Sequence, residues 1–160
     1  MLHAHDKGAA VQNDPNTTLV TSTAPIANVT HGGRAKCLQR LVRLDLPVPK
    51  TVALSFETVQ KIASGELPDV DAIISQFPAG TLLCVRPSSE DPDWGGPGAV
   101  LNIGMNDAQY ETLAKRLGKK AAGAVYTRFV QSYAVNVARL DPDMFDDIAG
   151  EGADALHASL

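Results

Sequence analysis

The sequence predicts an α+β protein, on three observations. Short apolar or β-branched runs bounded by proline and glycine recur up to Gly104: TTLVTST from Thr17, TVALS from Thr51, LLCV from Leu82 and VLNI from Val100. Between them lie segments with the three- and four-residue apolar spacing of amphipathic helices. Beyond Gly104 only the helical spacing persists, with Ala122, Val125, Tyr126, Phe129, Tyr133 and Val137 recurring in step. The pattern divides the chain into a variable polar arm (1–16), a mixed α/β lobe (17–105) and a helical segment (106–160).

The elements follow from local chemistry. The strand at Thr17 ends by Pro25, and a helix opens at Gly32–Gly33 and runs to about Leu44, where LPVP breaks it. Ser55 is a helix cap for Phe56, Val59, Ile62 and Ala63, and Ser64–Gly65 closes that helix. Val70, Ile73, Ile74 and Phe77 mark a short helix stopped by Pro78. Asn106 with Gln109 reads as a capping box for a helix over Asp107 to Leu117, which Gly118 terminates. Asp141–Pro142 interrupts the long helix that follows.

Composition narrows the function classes. With 160 residues the chain has room for one domain, and 44% hydrophobic residues suffice for a core. A net charge of -4 argues against a general nucleic-acid surface, and 5% aromatic residues leave few stacking platforms. No apolar run approaches a membrane span, and MLHAHDKGAAVQNDPNTT has no apolar signal core. Cys37 and Cys84 are isolated, without C-x-x-C spacing, which fits reduced thiols. A cytoplasmic protein is the expectation, with neither nucleic acid nor membrane as partner.

Two segments carry candidate chemistry. On a wheel of about 100° per residue, Ala35, Cys37, Leu38, Leu41, Val42 and Leu44 share a broad face. Lys36, Arg40 and Arg43 fall opposite, as a solvated face would. Arg34 falls within the apolar face, in the first turn, where the helix dipole disfavours a cation. An anion held by Arg34 and by free amides after Gly32–Gly33 would compensate; snorkelling to solvent, or a carboxylate elsewhere, would do so equally. In LLCVRPSSEDPDWGG, Arg86 ends an apolar strand and enters a loop of Ser88, Ser89, Glu90, Asp91 and Asp93. A guanidinium there can grip phosphate oxygens bidentately, or pair with Glu90 or Asp91 in a surface hairpin. Trp94 reads as a hydrophobic anchor, and HGGRAKC lacks the GK[ST] ending of a Walker A loop.

Three segments together carry a family resemblance. GGRAKCLQRLVRLDLPVP (32–49) resembles the GGK-[GN]-A-x-L helix and LG-x-PVPPG turn that open the nucleotide-binding domain of the pyruvate, phosphate dikinase and phosphoenolpyruvate synthase family. CVRPSSEDPDWGGPGAVLNIGMND (84–107) resembles its VRS[GS]A…PG…VLN[LI]G[LM]ND stretch, and AVYTRFVQSYAVNV (124–137) its Y-x-RF[IV]Q-x[FY] helix. The matches keep the family's order over residues 28–138.

The resemblance implies the N-terminal portion of an ATP-grasp domain, with ATP and Mg2+ as cofactors. In that family ATP phosphorylates a histidine on a separate domain, which passes the phosphoryl group to pyruvate. Arg34 falls where the family has the GGK lysine and Arg86 on the VRS arginine, so both carry over as phosphate contacts, with Gly32 and Gly33 beside them. Such cations act by positioning and charge stabilisation. Three departures stand against it: Arg34 replaces lysine, DWGGPGAV replaces a methionine-bearing loop, and the metal carboxylates, phosphohistidine domain and barrel are not in this sequence. The chain alone is therefore expected to lack dikinase turnover. His3, His5, His31 and His157 match no phosphohistidine motif and read as solvent histidines. Alternative readings are a non-catalytic interaction module and a nucleotide or anion sensor. An exposed apolar surface, with self-association or docking of the missing domains, is a further expectation.

Overall fold

The computed structural model describes residues 16–91 and 98–145. The arm before residue 16, Trp94, His3, His5 and His157 lie outside the described residues. Mixed α and β structure forms, with helices and two separate two-stranded antiparallel sheets. The chain makes two compact units, one from 16–74 with 88–91, the other from 75–87 with 98–145. This division differs from the expected boundary at 105/106, because the second pair of strands packs with the C-terminal helices rather than with the first.

In the first unit, β1 (Thr17–Leu19) runs antiparallel to β2 (Val52–Leu54), with Thr17 opposite Leu54 and Leu19 opposite Val52. The strand is shorter than TTLVTST. After Val20 N donates to Thr51 O (2.9 Å), the chain turns, and Ala24 N bonds back to Thr21 O (3.3 Å). The turn is held by side chains of α1 (Asn28–Arg43). Gln39, fully buried, donates from Nε2 to Thr21 O (3.2 Å) and Ala24 O (2.6 Å). Lys36 Nζ donates to Gln39 Oε1 (2.8 Å) and Ile26 O (2.7 Å), and Arg43 Nε donates to Ser22 O (2.8 Å).

These bonds revise the helical wheel. The buried side of α1 centres on Ala35 and Gln39, whereas Cys37 and Leu44 are exposed. Arg40 and Arg43 are exposed as expected, although Arg43 also bonds a loop carbonyl; Lys36 is instead half-buried, with its ammonium on Ile26 O. Hydrogen-bond demand from the 21–26 turn rotated the helix away from its most apolar setting. Ile26, Ala35 and Ala53 form the core, with Val20 and Ala24 packed against it. The helix ends as LPVP requires: Asp45 takes φ 54, and Leu46 N bonds back to Leu41 O (3.1 Å) in a Schellman-type closure.

Ser55 caps α2 (Phe56–Ala63) as expected, accepting from Thr58 N (3.2 Å). Ser55 Oγ also donates to Asn16 Oδ1 (2.9 Å), and Thr58 Oγ1 to Asn16 O (3.0 Å). That polar anchoring buries Thr58 and leaves Val59 and Ala63 exposed, contrary to the apolar-face expectation. α3 (Val70–Ile74) is brief, has no buried residue, and ends before Phe77.

In the second unit, β3 (Leu83–Val85) pairs with β4 (Val100–Ile103), Leu83 opposite Ile103 and Val85 opposite Val100. That register gives β4 one extra residue, a bulge, and Asn102 takes φ 54 there. α4 (Asp107–Leu117) is capped by Asn106, whose Oδ1 accepts from Gln109 N (2.9 Å). α5 (Lys119–Asn136) follows, and a 3-10 turn (Pro142–Phe145) comes last. Met105, Leu113 and Ala122 form the core, with Leu82, Tyr110, Val125 and Phe129 packed on it. α5 side chains fasten β4: Ser132 Oγ accepts from Leu101 N (3.0 Å), Asn102 Nδ2 donates to Val125 O (3.1 Å), and Asn136 Nδ2 donates weakly to Ala99 O (3.4 Å).

Tyr126 OH donates to Asp107 Oδ1 (3.0 Å), joining α5 to the first turn of α4. Burial, then this bond and the Asp107 charge, raise the tyrosine pKa above its ordinary 10.0. The protonated phenol is thus favoured in the folded state. Its contribution is fully present below the unfolded tyrosine's value and is lost as pH rises through the folded one. Urea melts from pH 8 to about 11 should show a steeper loss of stability in the wild type than in Tyr126→Phe. Parallel profiles would mean the bond contributes nothing. Among the described residues no helix is long and apolar enough to cross a membrane.

Candidate functional site

The helix start predicted at Gly32–Gly33 is a real break. Residues 28–31 form a turn, Gly32 takes φ 79 and ψ 168, and helical geometry resumes after it. That conformation is open essentially to glycine alone. It also lets a second segment come close. A Cβ built on Gly32 would stand 2.5 Å from Ser88 Oγ, 2.7 Å from Ser88 C and 2.8 Å from Ser89 N.

Ser88 and Ser89 complete the helix start. Gly33 N donates to Ser89 O (2.7 Å), and Ala35 N donates to Ser88 Oγ (3.3 Å). Ser89 Oγ in turn accepts from Asp91 N (3.1 Å), which shapes the loop. The two segments singled out in the sequence, GGR and PSSE, are therefore in direct contact. The free amides expected after Gly32–Gly33 need correcting, because those of Gly33 and Ala35 already have partners in the chain. Ser88 supplies the cap that no residue preceding Gly33 provides.

Arg34 lies between those two amides and is exposed. On the wheel it sits between exposed Cys37 and half-buried Leu38 and Leu41, at the edge of the buried side rather than in its centre. A guanidinium so placed is available to an anion and needs none for folding. Arg86 belongs to the second unit, is exposed, and donates from Nε to Cys84 Sγ at 3.4 Å, a weak bond. Cys37 and Cys84 are free and exposed. His31, expected in solvent, is buried in the turn before Gly32, with Nδ1 2.8 Å from Thr30 Oγ1.

The cationic side chains suit phosphate oxygens. Among the described residues no group of three His, Cys, Asp or Glu side chains comes together that could hold a metal ion. Sequence reasoning missed the cap by Ser88 and the buried role of Gln39. Neither carries a local signal, since Ser88 lies 53 positions from the amide it caps.

The expected apolar exposure is present in both units. Val59, Leu67, Val70 and Ile74 are exposed in the first, and Val85, Tyr133, Val137 and Met144 in the second. No protein-family model matches this chain, and no curated protein matches it.

Proposed function

We propose that this chain is the N-terminal, phosphate-gripping portion of an ATP-grasp domain of the pyruvate, phosphate dikinase type, serving ATP-dependent phosphoryl transfer. The observation that carries the reading is the helix restart at Gly32, with Arg34 exposed in its first turn and Ser88–Ser89 bound against it. Gly33 and Ala35 of one resembling segment bond to Ser89 and Ser88 of another, and the family resemblance assigns phosphate contacts to those segments. Each guanidinium, Arg34 in the first unit and Arg86 in the second, suits phosphate oxygens by itself; bound ATP would supply the phosphoryl group.

A titration of the purified chain with Mg-ATP, followed by thermal unfolding, tests this. Ligand at about 100 times its dissociation constant stabilises by about 2.7 kcal/mol, a rise of roughly 5–10 °C for a chain of this size. The rise should saturate and should be lost in Arg34→Ala and in Arg86→Ala, both of which change exposed side chains and leave the fold intact. A cooperatively melting protein with no shift rejects the reading.

A second reading has its own support. Gly33 and Ala35 amides are satisfied within the chain, and Asn102, Asn106, Asp107 and Ser132 of the resembling segments all serve the fold. A scaffold retained as a non-catalytic interaction module would look the same. It predicts unchanged melting with nucleotide and with either arginine removed.

A further inference from the structure

We infer that the exposed side of α5 and its junction with α4 form a docking surface for an acidic amphipathic helix of another protein. The charge distribution is the first observation. Residues 112–140 contain six lysines and arginines and no aspartate or glutamate, within a chain whose net charge is -4. Four of the six crowd the junction, which reads KRLGKK. Lys115 and Arg116 end α4, Lys119 and Lys120 begin α5, and all four are exposed. Neither they nor Arg128 has an ion-pair partner among the described residues.

The described carboxylates of the same unit do not offset this surface. Glu111, one turn before Lys115, forms no ion pair among the described residues. Asp107 is engaged by the Tyr126 hydroxyl. Asp141 and Asp143 come after the other end of α5, an 18-residue helix roughly 27 Å long. The clustered cations repel one another in the free protein. An acidic partner relieves that repulsion besides attracting them.

Shape and polarity are the second observation. The packed side of α5 carries Ala122, Gly123 and Phe129. Lys120, Ala124 and Arg128 stand on its exposed side at four-residue steps. Eight residues of helix place those two cations roughly 12 Å apart along the axis, with an alanine between them. Ala121 is exposed as well, so the floor between the cations is made of small side chains. Leu117 is 51% exposed at the junction end.

A helix with glutamates four residues apart presents carboxylates at steps of about 6 Å and reaches both Lys120 and Arg128 from one side. Its apolar flank meets Leu117 and the alanines, giving the apolar centre and charged rim of an interface. The same residues suit other polyanions less well. Single-stranded nucleic acid uses aromatic platforms, and none is among them. A membrane surface takes up a face of large apolar side chains, and they include only Leu117.

Fluorescence anisotropy with the 160-residue chain tests the inference. The probe is a labelled synthetic amphipathic helix of about 20 residues, glutamates on one side and leucines on the other. Binding is expected at about 50 mM NaCl and should weaken about tenfold or more at about 500 mM. Lys119→Glu/Lys120→Glu should weaken it about tenfold or more at low salt, through like charges set opposite each other. Leu117→Ala should weaken it several-fold. Arg40→Glu, a charge reversal in the first unit, should leave the affinity near that of the wild type. Circular dichroism melts confirm that each variant folds. A wild type that fails to bind at low salt overturns the inference, and so does binding that the junction variants leave unchanged. Oligothymidylate and equimolar phosphatidylcholine–phosphatidylserine vesicles are run alongside. If either binds the junction more tightly than the peptide does, the inferred partner is wrong.

Discussion

Gly32→Ala is expected to destabilise the protein by about 3 kcal/mol or more. Two costs combine. The backbone at φ 79 and ψ 168 lies where an L-residue is strained by about 1–3 kcal/mol. The new methyl would also fall within 2.8 Å of Ser88 and Ser89 backbone atoms, which cannot rotate away as a flexible side chain would. The loop must retreat, breaking the bonds from Gly33 N to Ser89 O and from Ala35 N to Ser88 Oγ. Urea denaturation measures the cost. Ser88→Ala is the comparison: it removes one side-chain bond and should cost only about 0.5–1.5 kcal/mol. If Gly32→Ala melts within about 0.5 kcal/mol of the wild type, inside the range of ordinary surface substitutions, the close approach of the two segments is wrong.

Gln39→Leu should cost about 2–3 kcal/mol, although it places an apolar residue of similar size at a fully buried position. The hydrophobic contribution of leucine is real, but the surroundings are polar. Thr21 O and Ala24 O would each lose a donor, and Lys36 Nζ would lose one of its two acceptors. Buried groups left without partners cost more than the amide's own hydrogen bonds contribute. Native-state hydrogen exchange should show the 21–26 turn opening more readily, together with the lower urea midpoint. A leucine variant as stable as the wild type would mean that packing, and not this amide, holds the turn.

The two positions differ in how much the sequence reveals. Gly32 is legible, because paired glycines before an amphipathic run announce a helix start. Gln39 is not, because a glutamine on a wheel with Lys36 and Arg43 reads as solvated surface. Its burial depends on two carbonyls, those of Thr21 and Ala24, supplied by a turn of the chain more than ten residues away. Arg34 shows the same limit. Local spacing placed it in the middle of an apolar face, whereas the buried side of α1 centres on Ala35 and Gln39, which leaves Arg34 at its exposed edge.

The motifs that carry the family resemblance also divide. Arg34 and Arg86 remain exposed and available to a ligand. Asn102, Asn106 and Asp107, embedded in VLNIGMND, are engaged in the bulge, the α4 cap and the bond to Tyr126. A motif match alone does not separate residues that bind from residues that fold; hydrogen-bond partners do.

The sequence by itself determined the α+β class, the helix start at Gly32–Gly33, the caps at Ser55 and Asn106, and the stops at LPVP and Gly118. These are short-range matters, set by φ preference, side-chain-to-backbone bonds and spacing within one or two turns. Only the tertiary structure decided which side of α1 is buried, that Ser88 caps a helix 53 positions away, and that the strands 83–85 and 100–103 belong with α4 and α5. Each of those depends on partners distant in sequence, and a buried polar group takes whichever partner the folded chain brings within reach.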